Sequence, residues 1–116
     1  MKFMMLLKAD KRTEAGVLPT AKELEVMGKY NNELIKAGVL LDGAGLQPTS
    51  KGARIAFEKG GPRVTDGPFA ETKEQLGGFL MIDVPDLNDA IRIATQFPAA
   101  RFGSVEIRPM KELGCA

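Results

Sequence analysis

Two stretches of this chain are apolar at successive positions, and that pattern restricts the fold more than any other. A strand of an antiparallel sheet with one wet face alternates apolar and polar residues. From Phe3 to Ala9, however, Phe3, Met5 and Leu7 fall on one face while Met4 and Leu6 fall on the other. The strand Phe79 to Val84 repeats this, with Phe79 and Met81 opposite Leu80, Ile82 and Val84. Both faces of both strands therefore need cover. The chain supplies two helices. Thr20 and Glu23 form a capping box that starts the first, which runs to about Ala37 and stops at Gly38. Asp86 caps the second, whose stripe Leu87, Ala90, Ile91, Ala94 and Phe97 has helical spacing before Pro98 ends it. Two helices cover one face of a sheet. The other face would be an apolar patch of a size that soluble monomers avoid. A second copy packed sheet against sheet about a two-fold axis is the simplest cover, so a homodimer is expected.

The remaining elements follow from local chemistry. Asp10 to Pro19 reads as a polar connection, and Val39 to Leu46 as a strand loosened by Gly43 and Gly45. Arg54 to Glu58 and Arg63 to Asp66 read as a hairpin joined at Gly60-Gly61-Pro62. Asp66-Gly67-Pro68-Phe69 is a turn, Glu71 to Leu76 reads as one helical turn, and Ser104 to Arg108 as a last alternating strand. The order β-α-β, hairpin, β-α-β predicts an α+β, ferredoxin-like sandwich: an antiparallel sheet with two helices on one face. At 116 residues the chain is expected to be one domain, 1–116.

Composition removes several chemistries. There is no histidine, which excludes Ser-His-Asp triads, Cys-His dyads, histidine-ligated haem and the usual zinc sites. Neither a metal nor a cofactor is expected. The one cysteine, Cys115, has no partner for an intrachain disulfide. Five apolar residues before Lys8 are too few for a signal peptide or a membrane span, and a cytoplasmic location is expected. A net charge of +1 and only seven aromatic residues (Phe 6, Tyr 1, Trp 0) argue against a nucleic-acid partner. Lys51, Arg54, Lys59 and Arg63 cluster, and read as a solvated hairpin face. Gly43-Ala44-Gly45 opens like a dinucleotide fingerprint, but Pro48 stands where its third glycine belongs.

Acid–base work must then fall to carboxylates, lysines or Tyr30. Asn31 lies within the apolar stripe of the first helix (Leu24, Met27, Tyr30, Leu34, Ile35), facing the sheet. A buried amide must either bond a backbone group or line a polar pocket. Tyr30 at the stripe's margin would offer its hydroxyl to the same space. Asp42 and Asp66 interrupt apolar runs, and Arg108 or Lys73 are candidate partners for a buried carboxylate there. The densest chemistry is Thr65 to Glu74, where Gly67 and Pro68 stiffen a turn flanked by Asp66, Glu71 and Lys73. Asp66 is the catalytic candidate. Asn31, Tyr30, Asp42, Asp66, Glu71 and Lys73 are the ligand-binding candidates.

At this segment the chain resembles the YCII-related, DGPF-domain family of bacterial proteins. The likeness runs from Met1 to Pro109 and rests on MKFMMLLKAD, AGVLLDGAGLQP, VTDGPFAETKEQLGGFLMIDVPDLNDAIRIA and GSVEIRP. It implies the dimeric α/β-barrel form of the ferredoxin-like fold. The wider superfamily includes muconolactone-isomerase-like enzymes and monooxygenases, and one branch carries a His-Asp pair thought to be catalytic. With no histidine here, that pair does not carry over. Members of the DGPF branch also resemble domains encoded beside, or fused to, sigma factors of the extracytoplasmic-function type. Two functions are therefore expected to compete. One is a homodimeric small-molecule-binding protein or weak enzyme with its pocket between the first helix and the sheet. The other is an accessory module whose partner is a sigma factor.

Overall fold

The computed structural model describes residues 1–70, 75–98 and 102–111. In chain order the elements are β1 (Lys2–Ala9), α1 (Lys11–Glu14), α2 (Ala21–Lys36), β2 (Leu40–Gly45), β3 (Ala53–Glu58), β4 (Gly61–Asp66), β5 (Leu76–Asp83), α3 (Leu87–Thr95) and β6 (Phe102–Pro109). Four strands form one sheet in the order β2-β5-β1-β6, every neighbouring pair antiparallel. Strands β3 and β4 pair only with each other. This is the ferredoxin-like α+β arrangement expected from the element order, with a hairpin inserted between β2 and β5.

The two-faced reading of β1 and β5 holds in detail. Register pairs Phe3 with Ile82, Met5 with Leu80 and Leu7 with Gly78, so these residues share one face. That face is buried together with Tyr30 and Leu34 of α2 and Ala90, Ile93 and Phe97 of the α3 region. On the opposite face Met4 pairs with Met81 and Leu6 with Phe79. Those four side chains are half-buried by one another. Toward β6 the same face turns polar, because Lys8, Glu106 and Arg108 lie there, with Lys8 Nζ 3.6 Å and Arg108 Nη1 3.2 Å from Glu106.

Helix α2 begins where its capping box predicts. Glu23 N–H donates to Thr20 Oγ1 (3.1 Å) and Thr20 N–H to Glu23 Oε1 (3.0 Å). Gly38 ends it at φ 71°, a left-handed conformation open to glycine. Four expectations are corrected. The connection after Asp10 contains the short α1, nucleated by a reciprocal Asp10–Thr13 cap. The apolar stripe of α2 is narrower than its periodicity suggests: Tyr30 and Leu34 are buried, but Leu24 and Ile35 are 59% and 57% exposed. In α3 the buried side is Ala90 and Ile93, continued by Phe97 just beyond the helix, with Leu87 and Ile91 exposed, because the helix is rotated to lay Ile93 on the sheet. Leu76 belongs to β5 rather than to a helical turn, while 71–74 lie outside the described residues. No helix among the described residues is long and apolar enough to cross a membrane.

Candidate functional site

The site begins with glycines in the sheet. Gly43 and Gly45 alternate along β2 and pair with Leu80 and Gly78, so they share the face that meets the helices. None of these three glycines places a side chain there. At Gly43 a Cβ would come within 3.1 Å of the Phe79 carbonyl oxygen, and at Gly78 within 2.9 Å of that of Ala44. At Gly45 a Cβ would meet nothing within 4 Å. At Gly43 and Gly78 the side chains of Leu80 and Leu7 take the place of a Cβ, while Gly45 opens onto free space beneath this end of α2. A cavity of about 790 Å³ results, within the range of small-molecule sites.

Leu7 and Leu80 line it from the sheet, Leu24, Met27, Asn31 and Ile35 from α2, and Leu40 to Gly45 from β2. Phe97 and Phe102 close one end, their rings 5.9 Å apart. Leu24 and Ile35 are exposed because they stand at its open rim. The wall is almost wholly apolar. Its interior polar group is Asn31, whose Oδ1 is buried with no hydrogen-bond partner among the described residues. Such an atom costs about 1–3 kcal/mol. The amide turns about χ2, a broad two-fold torsion, so it can bring either its carbonyl or its NH₂ to a molecule in the cavity.

Charges stay at the rim. Asp42 is exposed, and its Oδ1 accepts the Gly43 N–H at 2.8 Å, so it needs no partner from Arg108. Arg108 instead pairs with Glu106. Glu23 accepts the Thr20 N–H and a two-pronged Arg12 guanidinium (2.9 and 3.3 Å). First the Thr20 N–H and then Arg12 hold its carboxyl far below the usual range, at about 2. The same contact raises Arg12. Both groups stay charged at any ordinary pH, which suits them to fixing the helix start rather than to moving protons.

Of the sequence-derived candidates, the structure brings Asn31 and Asp42 to this cavity. Tyr30 is not in its wall. Its hydroxyl donates to the Ile93 carbonyl (3.0 Å) and its ring meets Phe97 edge-on at 5.5 Å, making it a core residue. Burial pushes its phenol up to about 12. Asp66 lies at the end of β4, paired with Ala53 and outside the cavity lining. Its neighbour Gly67 explains the turn: a Cβ there would collide with the Thr49 carbonyl oxygen. Glu71, Lys73 and Cys115 lie outside the described residues. What the sequence reading missed was the glycine stretch of the cavity wall. Its signal is glycine at alternate positions of a strand, a pattern that also loosens a strand and opens like a dinucleotide fingerprint.

The YCII-related domain profile matches residues 1–114. The chain belongs to the YCII-related family. An uncharacterized protein of Rhizobium meliloti (strain 1021) is 44% identical over 86 residues, covering 72% of this chain and 69% of that protein. Among solved structures, the 5-chloro-2-hydroxyhydroquinone dehydrochlorinase of Burkholderia phenoliruptrix, in complex with 2,5-dihydroxybenzoquinone, matches with a TM-score of 0.55 at 13% identity. That match covers 96% of this chain and 94% of the enzyme. It supports the ferredoxin-like, dimeric α/β-barrel fold for this YCII-related chain.

Proposed function

We propose that this YCII-related protein is a homodimer that binds a compact, largely apolar small molecule in the cavity between α2 and the sheet. The ligand carries a hydroxyl or carbonyl that pairs with Asn31. The observation that carries this reading is the unpartnered Asn31 carbonyl in a largely apolar wall whose other polar lining residues are Lys22, Glu23 and Asp42. A structural amide would have a partner; a binding amide is held ready for one. Support comes from the dehydrochlorinase of like fold, whose complex is with a small ring bearing hydroxyls and carbonyls.

Gly45→Leu tests it directly, because a Cβ at that position enters open space and the added side chain fills the cavity. A panel of dihydroxybenzenes, hydroxyquinones and short alkanols is screened by thermal shift on the wild type and on Gly45→Leu. A ligand at a hundred times its Kd adds about 2.7 kcal/mol, a shift of several degrees. The wild type is expected to respond and the filled variant not to. Equal shifts in both would sink the proposal.

A second reading, an accessory module bound to a sigma factor, draws on the bare apolar side of the β3–β4 hairpin. It expects a sigma factor to co-purify with the native protein and the cavity to stay empty.

A further inference from the structure

We infer that the β3–β4 hairpin is an arm that reaches across the dimer and closes the cavity of a second copy. The inference rests on the homodimer reading above. Register sets Ile55 opposite Val64 and Phe57 opposite Pro62, so one side of the hairpin is apolar toward its tip, with Asp66 opposite Ala53 at its root. The other side carries Arg54, Glu58, Arg63 and Thr65. Phe57 is 87% exposed, Val64 63% and Ile55 54%. A two-stranded hairpin has no core of its own and is marginal in water, so a bare apolar side asks for an external surface.

The arm is held out in a defined direction. At its root Gly67 N–H donates to the Gly52 carbonyl (3.0 Å) and Phe69 N–H to Thr49 Oγ1 (3.1 Å). Thr49 is tied to Glu14 of α1 through both its N–H (2.9 Å) and its hydroxyl (2.7 Å). The Arg54 guanidinium lies 4.1 Å over the Phe69 ring. Accordingly the radius of gyration is 16.0 Å, against about 13 Å for a compact chain of this length. The arm does not lie on its own subunit's cavity, whose rim residues Leu24, Ile35 and Leu41 remain exposed.

One chain thus carries both an uncovered apolar blade and an uncovered apolar groove, the pairing that a two-fold axis satisfies twice. Area favours a second copy over any other occupant. At about 4.8 Å between strands and about 3.4 Å per residue, the outer face of the four-stranded sheet has a flat footprint of roughly 400 Å². A stable interface needs about 800 Å² per partner. Each arm side adds roughly 200 Å² by the same spacing. Since each subunit gives one arm and receives one, the sum reaches what a stable dimer requires.

The test uses the full chain and no ligand, so its failure and a failed ligand screen are separately visible. Phe57→Asp is expected to raise the dimer Kd at least tenfold in sedimentation velocity, with the thermal melt of the remaining fold intact. Leu24→Asp should do the same, and the double variant should fall short of the product of the two effects. To show that the arm crosses between subunits, protein carrying Phe57→Trp is mixed with protein carrying Leu24→Cys coupled to a quencher, both in a Cys115→Ser background. The chain has no native tryptophan, so emission reports the arm alone. It is expected to be that of a buried indole and to fall on mixing. A chain that is monomeric at micromolar concentration, alone or captured by a different protein, overturns the inference. So does a dimer whose Kd ignores Phe57→Asp, or emission unchanged by mixing.

Discussion

Replacing Asn31 by leucine should make the protein more stable. The buried Oδ1 has no partner among the described residues, and removing an unsatisfied buried carbonyl recovers about 1–2 kcal/mol. Leucine has the same branched four-atom side-chain skeleton as asparagine, would stand in a roomy cavity that Leu40 and Met27 also line, and is the better helix former by a few tenths of a kcal/mol. For a domain of this size that corresponds to roughly 4–10 °C in Tm. Thermal and urea unfolding of wild type and Asn31→Leu, at one fixed protein concentration because any self-association shifts both curves, measure it. The same variant should lose the ligand response. Gain in stability with loss of binding is the signature of a group kept unpaired for function. A variant destabilised by a kcal/mol or more would refute the reasoning, since the amide would then be a structural group with a partner in the free protein.

Other perturbations probe the frame around the site. Tyr30→Phe removes the hydroxyl bond to the Ile93 carbonyl, which keeps the Gln96 N–H, so the loss should be only about 1 kcal/mol in urea unfolding. As the chain's one tyrosine, Tyr30 should show phenolate absorbance only near pH 12. Its raised pKa means that its contribution to stability is complete below the unfolded value near 10 and is lost as pH rises through the folded one; titration at an unshifted pH would mean a wet core. Glu23 behaves oppositely: with its carboxyl held at about 2, its contribution is complete above the ordinary carboxylate range and disappears as pH falls toward 2. Glu23→Gln should flatten that acid limb in pH-dependent melts. Gly67→Ala forces a methyl group against the Thr49 carbonyl and should destabilise the hairpin root by about 1–3 kcal/mol, seen as early proteolysis within 53–66.

What the sequence determined by itself was periodic and local. Successive apolar residues in β1 and β5 marked strands that are apolar on both faces, and the register sets Phe3, Met5 and Leu7 with Ile82, Leu80 and Gly78 on the face that the helices cover, with Met4, Leu6, Phe79 and Met81 on the other. The Thr20–Glu23 capping box and Gly38 bounded α2 because caps are chemistry between near neighbours. Even Asn31 was legible, as an amide on a greasy stripe. The tertiary structure alone decided how closely each helix sits on the sheet. It lifted Leu24 and Ile35 away from β2, turned Ile93 inward in α3, and tied the Tyr30 hydroxyl to Ile93. These outcomes depend on which side chains are missing from a face assembled by strands distant in sequence. Gly43 and Gly45 become part of a cavity wall only once β2 and β5 lie side by side.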